Sequence, residues 1–231
     1  MEASLAKIGL RAVRTSGLSP EEGTRKAGDP AKVEVMRKRT PGAIGCHYAQ
    51  ISVMEEALRQ SKHAFVMEDD LVFASDFMER LNYMDAFLAD RKWDVLWLGA
   101  TFHVNPPYWH KGPPLFRDAE RIGDRYMTRT YGAFCTYAYI VNARSVQRVL
   151  ALIDSIVHLS MGIDWAFIQL QPQLQCFAYV PGSIIQYDNQ SNIGKGMTIF
   201  SGFKKLGPYW FTDKIDQFDP EAFNWHEARR R

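Results

Sequence analysis

Apolar positions along this chain follow two rhythms. Between residues 42 and 60, Ile44, Tyr48, Ile51, Met54 and Leu58 fall at helical spacing. Thr40-Pro41 ahead of them supplies a cap and a first-turn proline. Phe77, Leu81, Met84 and Leu88 mark a second helix behind Ser75, and Val146, Val149, Leu150, Ile153 and Val157 a third behind Asn142. Between these helices lie unbroken apolar runs at 63–67, 93–99, 131–141 and 176–180. Such runs read as strands covered on both faces, the kind found in parallel sheets. Gly162-Ile163-Asp164-Trp165 opens a further short helix that Pro172 ends. Residues 2–10 read as a helix with Leu5, Ile8 and Leu10 apolar, and 15–32, rich in Gly, Ser, Pro and charge, as a loop. Residues 100–125 read as one long irregular loop, either a binding loop or one packed on the core. The alternation predicts an α/β domain over residues 1–195 with a mostly parallel central sheet, followed by an extension over 196–231.

The chemistry concentrates where one strand ends. In His63-Ala64-Phe65-Val66-Met67-Glu68-Asp69-Asp70-Leu71-Val72-Phe73, an apolar run meets three consecutive carboxylates and turns apolar again. Ligands of open α/β sheets sit beyond the carboxyl ends of the strands. Three adjacent acids repel one another, and a divalent cation carrying an anionic ligand resolves that repulsion. Carboxylate oxygens are hard donors suited to Mg or Mn. The competing reading is a solvated acidic turn, which the apolar flanks disfavour. The stretch therefore predicts a metal–diphosphate site.

Composition narrows the classes. Across 231 residues, 46% are hydrophobic and 23% charged, as in an ordinary globular protein of one sizeable domain. A net charge of +2 does not suggest a nucleic-acid partner. The basic tail Arg229-Arg230-Arg231 allows at most peripheral contact with acidic headgroups. Cys46, Cys135 and Cys176 show no C-x-x-C pairing, which fits buried free thiols in a reducing compartment. No apolar run approaches the ~20 residues of a spanning helix. The expected location is cytoplasmic, extending to the inner face of the membrane.

Several motifs occur in a fixed order: Gly42-Ala43-Ile44-Gly45-Cys46, then Glu68-Asp69-Asp70, then Thr136-Tyr137-Ala138-Tyr139-Ile140-Val141, Ile163-Asp164, and Gln186 through Ile193. Their order and spacing over residues 5–195 resemble glycosyltransferase family 25, the group of bacterial lipopolysaccharide glycosyltransferases and the collagen galactosyltransferase domain. The resemblance implies a type-A (Rossmann-like) glycosyltransferase fold. It also implies Mn- or Mg-dependent transfer from a UDP-sugar donor to a hydroxyl of a glycan or lipid-linked saccharide acceptor, with inversion. Carried over by position, Asp70 would ligate the metal, while Glu68 and Asp69 would hold ribose or the metal's water shell.

Inversion needs a base opposite the leaving group. Asp164 is the candidate, and it reads equally as a helix N-cap. Gln190, His47 and Gln50 read as supporting residues more readily than as direct ligands. Lys195, between Gly194 and Gly196, reads either as a diphosphate contact or as a surface lysine. Three departures from the family pattern bear on activity: Ala43 replaces a Glu, Ala49-Gln50 a Ser-His, and Asn192 an Asp. The family's opening strand, roughly I-N-L followed by arginine, precedes what this sequence starts with. Its absence predicts an open sheet edge and weakened UDP binding. A degenerate, non-catalytic sugar-nucleotide- or partner-binding module is the alternative function. A metal-dependent phosphoryl hydrolase is a weaker third.

Overall fold

The computed structural model describes residues 2–39, 41–102, 116–123, 125–156, 162–180 and 182–186. The chain begins with three helices, α1 (Glu2–Lys7), α2 (Pro20–Ala27) and α3 (Pro30–Arg39). The long α4 (Pro41–Arg59) leads into β1 (Ala64–Met67) and β2 (Leu71–Phe73), followed by α5 (Phe77–Leu88) and β3 (Val95–Phe102). Then come β4 (Phe116–Ile122), β5 (Arg125–Thr130) and β6 (Ala133–Val141), with no helix among them. Helices α6 (Val146–Asp154) and α7 (Ile163–Leu170) precede β7 (Cys176–Val180) and β8 (Ile184–Gln186).

The sheet corrects the expectation of mostly parallel strands. Six strands lie in the order β1-β6-β3-β7-β5-β4, and β3–β7 is the one parallel pair. The reason lies in the connections. Helices separate β1, β3 and β7, and these three strands point the same way, as crossover connections require. Strand β5 folds back against β4, and β5 and β6 both run opposite to β3 and β7. β6 then inserts between β1 and β3.

Two shorter stretches also differ from expectation. Residues 15–32 hold α2 and the start of α3 rather than a loop. Ser19 and Glu22 form a reciprocal capping box, with Pro20 in the first turn. Residues 116–122, expected within the long loop over 100–125, instead form β4 and pair with β5 as an antiparallel hairpin, while 103–115 lie outside the described residues.

Each sheet face is covered by helices, so the strands alternate between two cores. Val95 and Trp97 join Ile44, Tyr48, Met54, Val149, Phe167 and Leu170 on one side. Leu96 and Leu98 join Phe77, Met84, Leu88, Met127 and Tyr179 on the other. Among the described residues β1 has a single strand neighbour, β6. No described helix is long and apolar enough to cross a membrane.

At one end of the sheet a polar knot fastens the layers. Asp94, just ahead of β3, accepts from Ser145 Oγ at 2.6 Å, the Gln175 amide at 2.7 Å and Arg148 Nη1 at 3.2 Å. The acidic motif lies at the other end.

Candidate functional site

Three elements bring the site together: the end of β1, the middle of β6, and the first turn of α7. Antiparallel pairing sets Met67 opposite Ala138, and the Glu68 amide continues the ladder by donating to the Tyr137 carbonyl at 2.9 Å. Glu68 and Asp70 are half-buried, whereas Asp69 is exposed. β2 begins directly after the acids and pairs with β8, Leu71 facing Gln186. The chain therefore leaves β8 beside the acidic turn.

The β6 strand is irregular at this level. Between the pairs Gly99–Ala138 and Thr101–Phe134, β3 contributes only Ala100, while β6 contributes Cys135, Thr136 and Tyr137. Cys135 takes a left-handed backbone, φ 60°, sparsely populated for a residue with a Cβ. Bulges of this kind re-aim backbone and side chains next to functional sites. Here the bulge turns Thr136 toward α7, where its amide and hydroxyl both donate to Asp164 Oδ1, at 3.0 and 2.5 Å. Asp164 thus lies in the first turn of α7, with Gly162 at the N-cap, so the N-cap reading of Asp164 shifts by two residues.

Behind Thr136 lies a buried polar chain. The Tyr139 hydroxyl donates to Gln50 Oε1 at 2.9 Å. Gln50 Nε2 reaches Thr136 Oγ1 at 3.4 Å and Cys46 Sγ at 3.7 Å. Gln50 is therefore a supporting residue on α4. His47 faces the helical layer, where Lys32 of α3 is the charge it feels, and it is not brought to the acids.

The acids also act on one another through charge. Burial pushes the Glu68 carboxyl up to about 8, reinforced by the negative charges of Asp164, Asp70 and Asp69. Burial also raises Asp164, opposed by the two Thr136 bonds and its own amide. The Cys46 thiol is pushed up to about 12, first by burial and then by Glu68 and Asp164. It stays a neutral thiol. Gly45 of the G-x-x-G-C motif serves packing, since a Cβ there would sit 1.9 Å from the Leu18 carbonyl oxygen. A Cβ on Gly162 would come within 3.7 Å of the Ala43 Cβ, so α4 and α7 meet at their N-terminal turns.

The model of glycosyltransferase family 25 (LPS biosynthesis protein) matches residues 19–166, more than half of the chain. The chain belongs to glycosyltransferase family 25. The matched span runs from the α2 capping box past Asp164, and so includes Glu68, Asp69 and Asp70. Membership suggests a transferase that takes a sugar donor and a glycan acceptor, and the family is one with a type-A glycosyltransferase fold. A search of curated proteins finds no match to this chain.

Glu68 lies within electrostatic reach of Asp164, Asp70 and Asp69. Gln190, Asn192 and Lys195 lie outside the described residues. Among the described residues no three His, Cys, Asp or Glu side chains converge closely enough to enclose a metal ion. Sequence reasoning missed Thr136 as a site residue. Its signal was present: Thr136 is the one aliphatic hydroxyl in the strand Ala133–Val141, a buried polar group that needs a partner.

Proposed function

We propose that this chain is a metal-dependent inverting glycosyltransferase. It would move a hexose from a UDP-sugar to a hydroxyl of a glycan acceptor such as lipopolysaccharide. Family membership supplies the reaction class, and one observation carries the rest. At the carboxyl end of β1, Glu68 feels Asp69, Asp70 and Asp164 together, a crowd of acids that a cation would relieve.

The donor set fits a hard divalent ion. Magnesium is commonly held by one or two carboxylates and completed by substrate phosphates, so an enclosed protein cage is not required. Asp70 would hold the ion, with Glu68 and Asp69 on its water shell or the ribose. When bound, such an ion supplies positive charge against the departing diphosphate. Asp164 Oδ2 faces the acceptor in this reading and takes the proton of its hydroxyl. The new bond joins that oxygen to the anomeric carbon, and UDP leaves from the opposite face. Gln190 and Lys195 are proposed as donor contacts, as the sequence suggests.

The test is transfer from a panel of UDP-sugars with Mn²⁺, comparing wild type, Asp70→Asn and Asp164→Asn. Turnover should fall at least ~100-fold in both variants. Equal turnover in all three would remove the roles assigned. Titration calorimetry with UDP, with and without Mn²⁺, reads donor binding separately from turnover. A second reading, a non-catalytic sugar-nucleotide-binding module, draws on the absence of an enclosed three-ligand cluster among the described residues. UDP binding without turnover would favour it.

A further inference from the structure

We infer that Thr136 is a positioning residue that fixes the Asp164 carboxylate with one oxygen held and the other presented to substrate. The inference rests on the reading of Asp164 as the base. Both Thr136 donors converge on Oδ1, at 3.0 Å from the amide and 2.5 Å from the hydroxyl. Among the described residues, the only other bond to this carboxylate comes from Asp164's own amide. Oδ2 takes no bond from another described residue.

The donor direction is fixed by the groups behind Thr136. Tyr139 donates to Gln50 Oε1, so the Gln50 amide presents Nε2 toward Thr136. Thr136 Oγ1 accepts there and turns its own proton toward Asp164. Each link donates forward, and the chain ends on the carboxylate. An acceptor-only anion at the end of such a chain is held in orientation and favoured in its charged form. Thr136 is 1% exposed and Tyr139 fully buried, so water does not compete with these bonds.

The bulge is what makes the grip possible. In a regular strand, the side chains of residues 135 and 136 would alternate between the two faces in step with β3, and the Thr136 amide would stay in register with the ladder. The left-handed turn at Cys135 costs backbone energy and takes Thr136 out of that register. The groups facing Asp164 from neighbouring elements are Glu68 at the end of β1, Cys46 on α4 and Tyr139 on β6. All three are acids when they ionise, which makes a dedicated donor more consequential.

The experiment compares Thr136→Val, which deletes the hydroxyl and keeps the amide, with Thr136→Ser, which keeps both. Thr136→Ala replaces the valine protein should that variant fail to fold. Aspartate-labelled protein is titrated by carboxyl NMR, and transfer from a UDP-sugar with Mn²⁺ is followed against pH. In Thr136→Val the Asp164 titration should move up by about one pH unit. The acid limb of kcat should follow it, and kcat should fall about tenfold with KM for the donor unchanged. Thr136→Ser should restore most of both effects.

A lower unfolding midpoint with an unmoved Asp164 titration would reduce Thr136 to a structural residue and overturn the inference. So would an equal shift in the serine and valine proteins. If wild type shows no transfer, or Asp164→Asn keeps it, the base reading fails. The NMR titration still decides separately whether Thr136 grips the carboxylate.

Discussion

His47 offers a quantitative test of the helical layer. Its side chain is 1% exposed, and among the described residues neither ring nitrogen has a hydrogen-bond partner. Burial, with a smaller contribution from Lys32, pushes its pKa from 6.5 down to about 4. The native state thus refuses a proton that the unfolded chain accepts, so the unfolded state binds more protons between these two values. Stability is fully present above pH 6.5 and is lost as pH falls, levelling off below about pH 4. The whole window corresponds to about 3 kcal/mol, of which about 2 kcal/mol is gone by pH 5.

Other groups titrate over the same range, so the test is a difference. Urea unfolding of wild type and His47→Leu at pH 7 and pH 5 isolates the imidazole, because every other group is common to both. At pH 7 the leucine protein should match or exceed wild type, since two unpartnered polar atoms leave the core. At pH 5 its advantage should widen by about 2 kcal/mol. Parallel loss of stability by both proteins would refute the reasoning and mean that the imidazole is reached by solvent or a partner in solution.

Three further outcomes follow from local geometry. Asp94→Ala strands the Ser145 hydroxyl, the Gln175 amide and the Arg148 guanidinium, and should cost about 3 kcal/mol in urea unfolding. Gly45→Ala drives a Cβ into the Leu18 carbonyl and should cost about 3 kcal/mol, read as a lowered thermal midpoint. Cys46, with its thiol pushed up to about 12, should react with iodoacetamide far more slowly at pH 8 than an ordinary thiol. Rapid labelling of Cys46 in the folded protein, shown by peptide mapping, would contradict its acidic surroundings.

What the sequence made legible was the part governed by periodicity and short range. The helix over 41–59, the stripe Phe77–Leu88, and the runs that became β1, β3, β6 and β7 follow from spacing alone. The α2 capping box was legible too, in Ser19-Pro20-Glu21-Glu22, but a polar, glycine-containing segment reads more easily as a loop. Strand direction was not legible, because an apolar run does not say which way it runs. At the site, the acids announced themselves by charge. Thr136 announced itself only as a buried hydroxyl in need of a partner, because which partner it meets depends on a bulge created by unequal residue counts on two strands distant in sequence.

The two ends of the sheet differ in a way that bears on function. Before β3, Asp94 is buried, yet donors from a serine, a guanidinium and a backbone amide surround it. That acid is compensated within the chain and serves the fold. Beyond β1, burial and then the charges of Asp164, Asp70 and Asp69 push the Glu68 carboxyl up to about 8. Beside it, β6 accepts a left-handed cysteine to aim one threonine. Under the proposed function, that like-charge neighbourhood and the strain at Cys135 serve a bound ligand. The same contrast explains why substitutions at Asp94 should register in unfolding, whereas those at Asp70 and Asp164 should register in turnover.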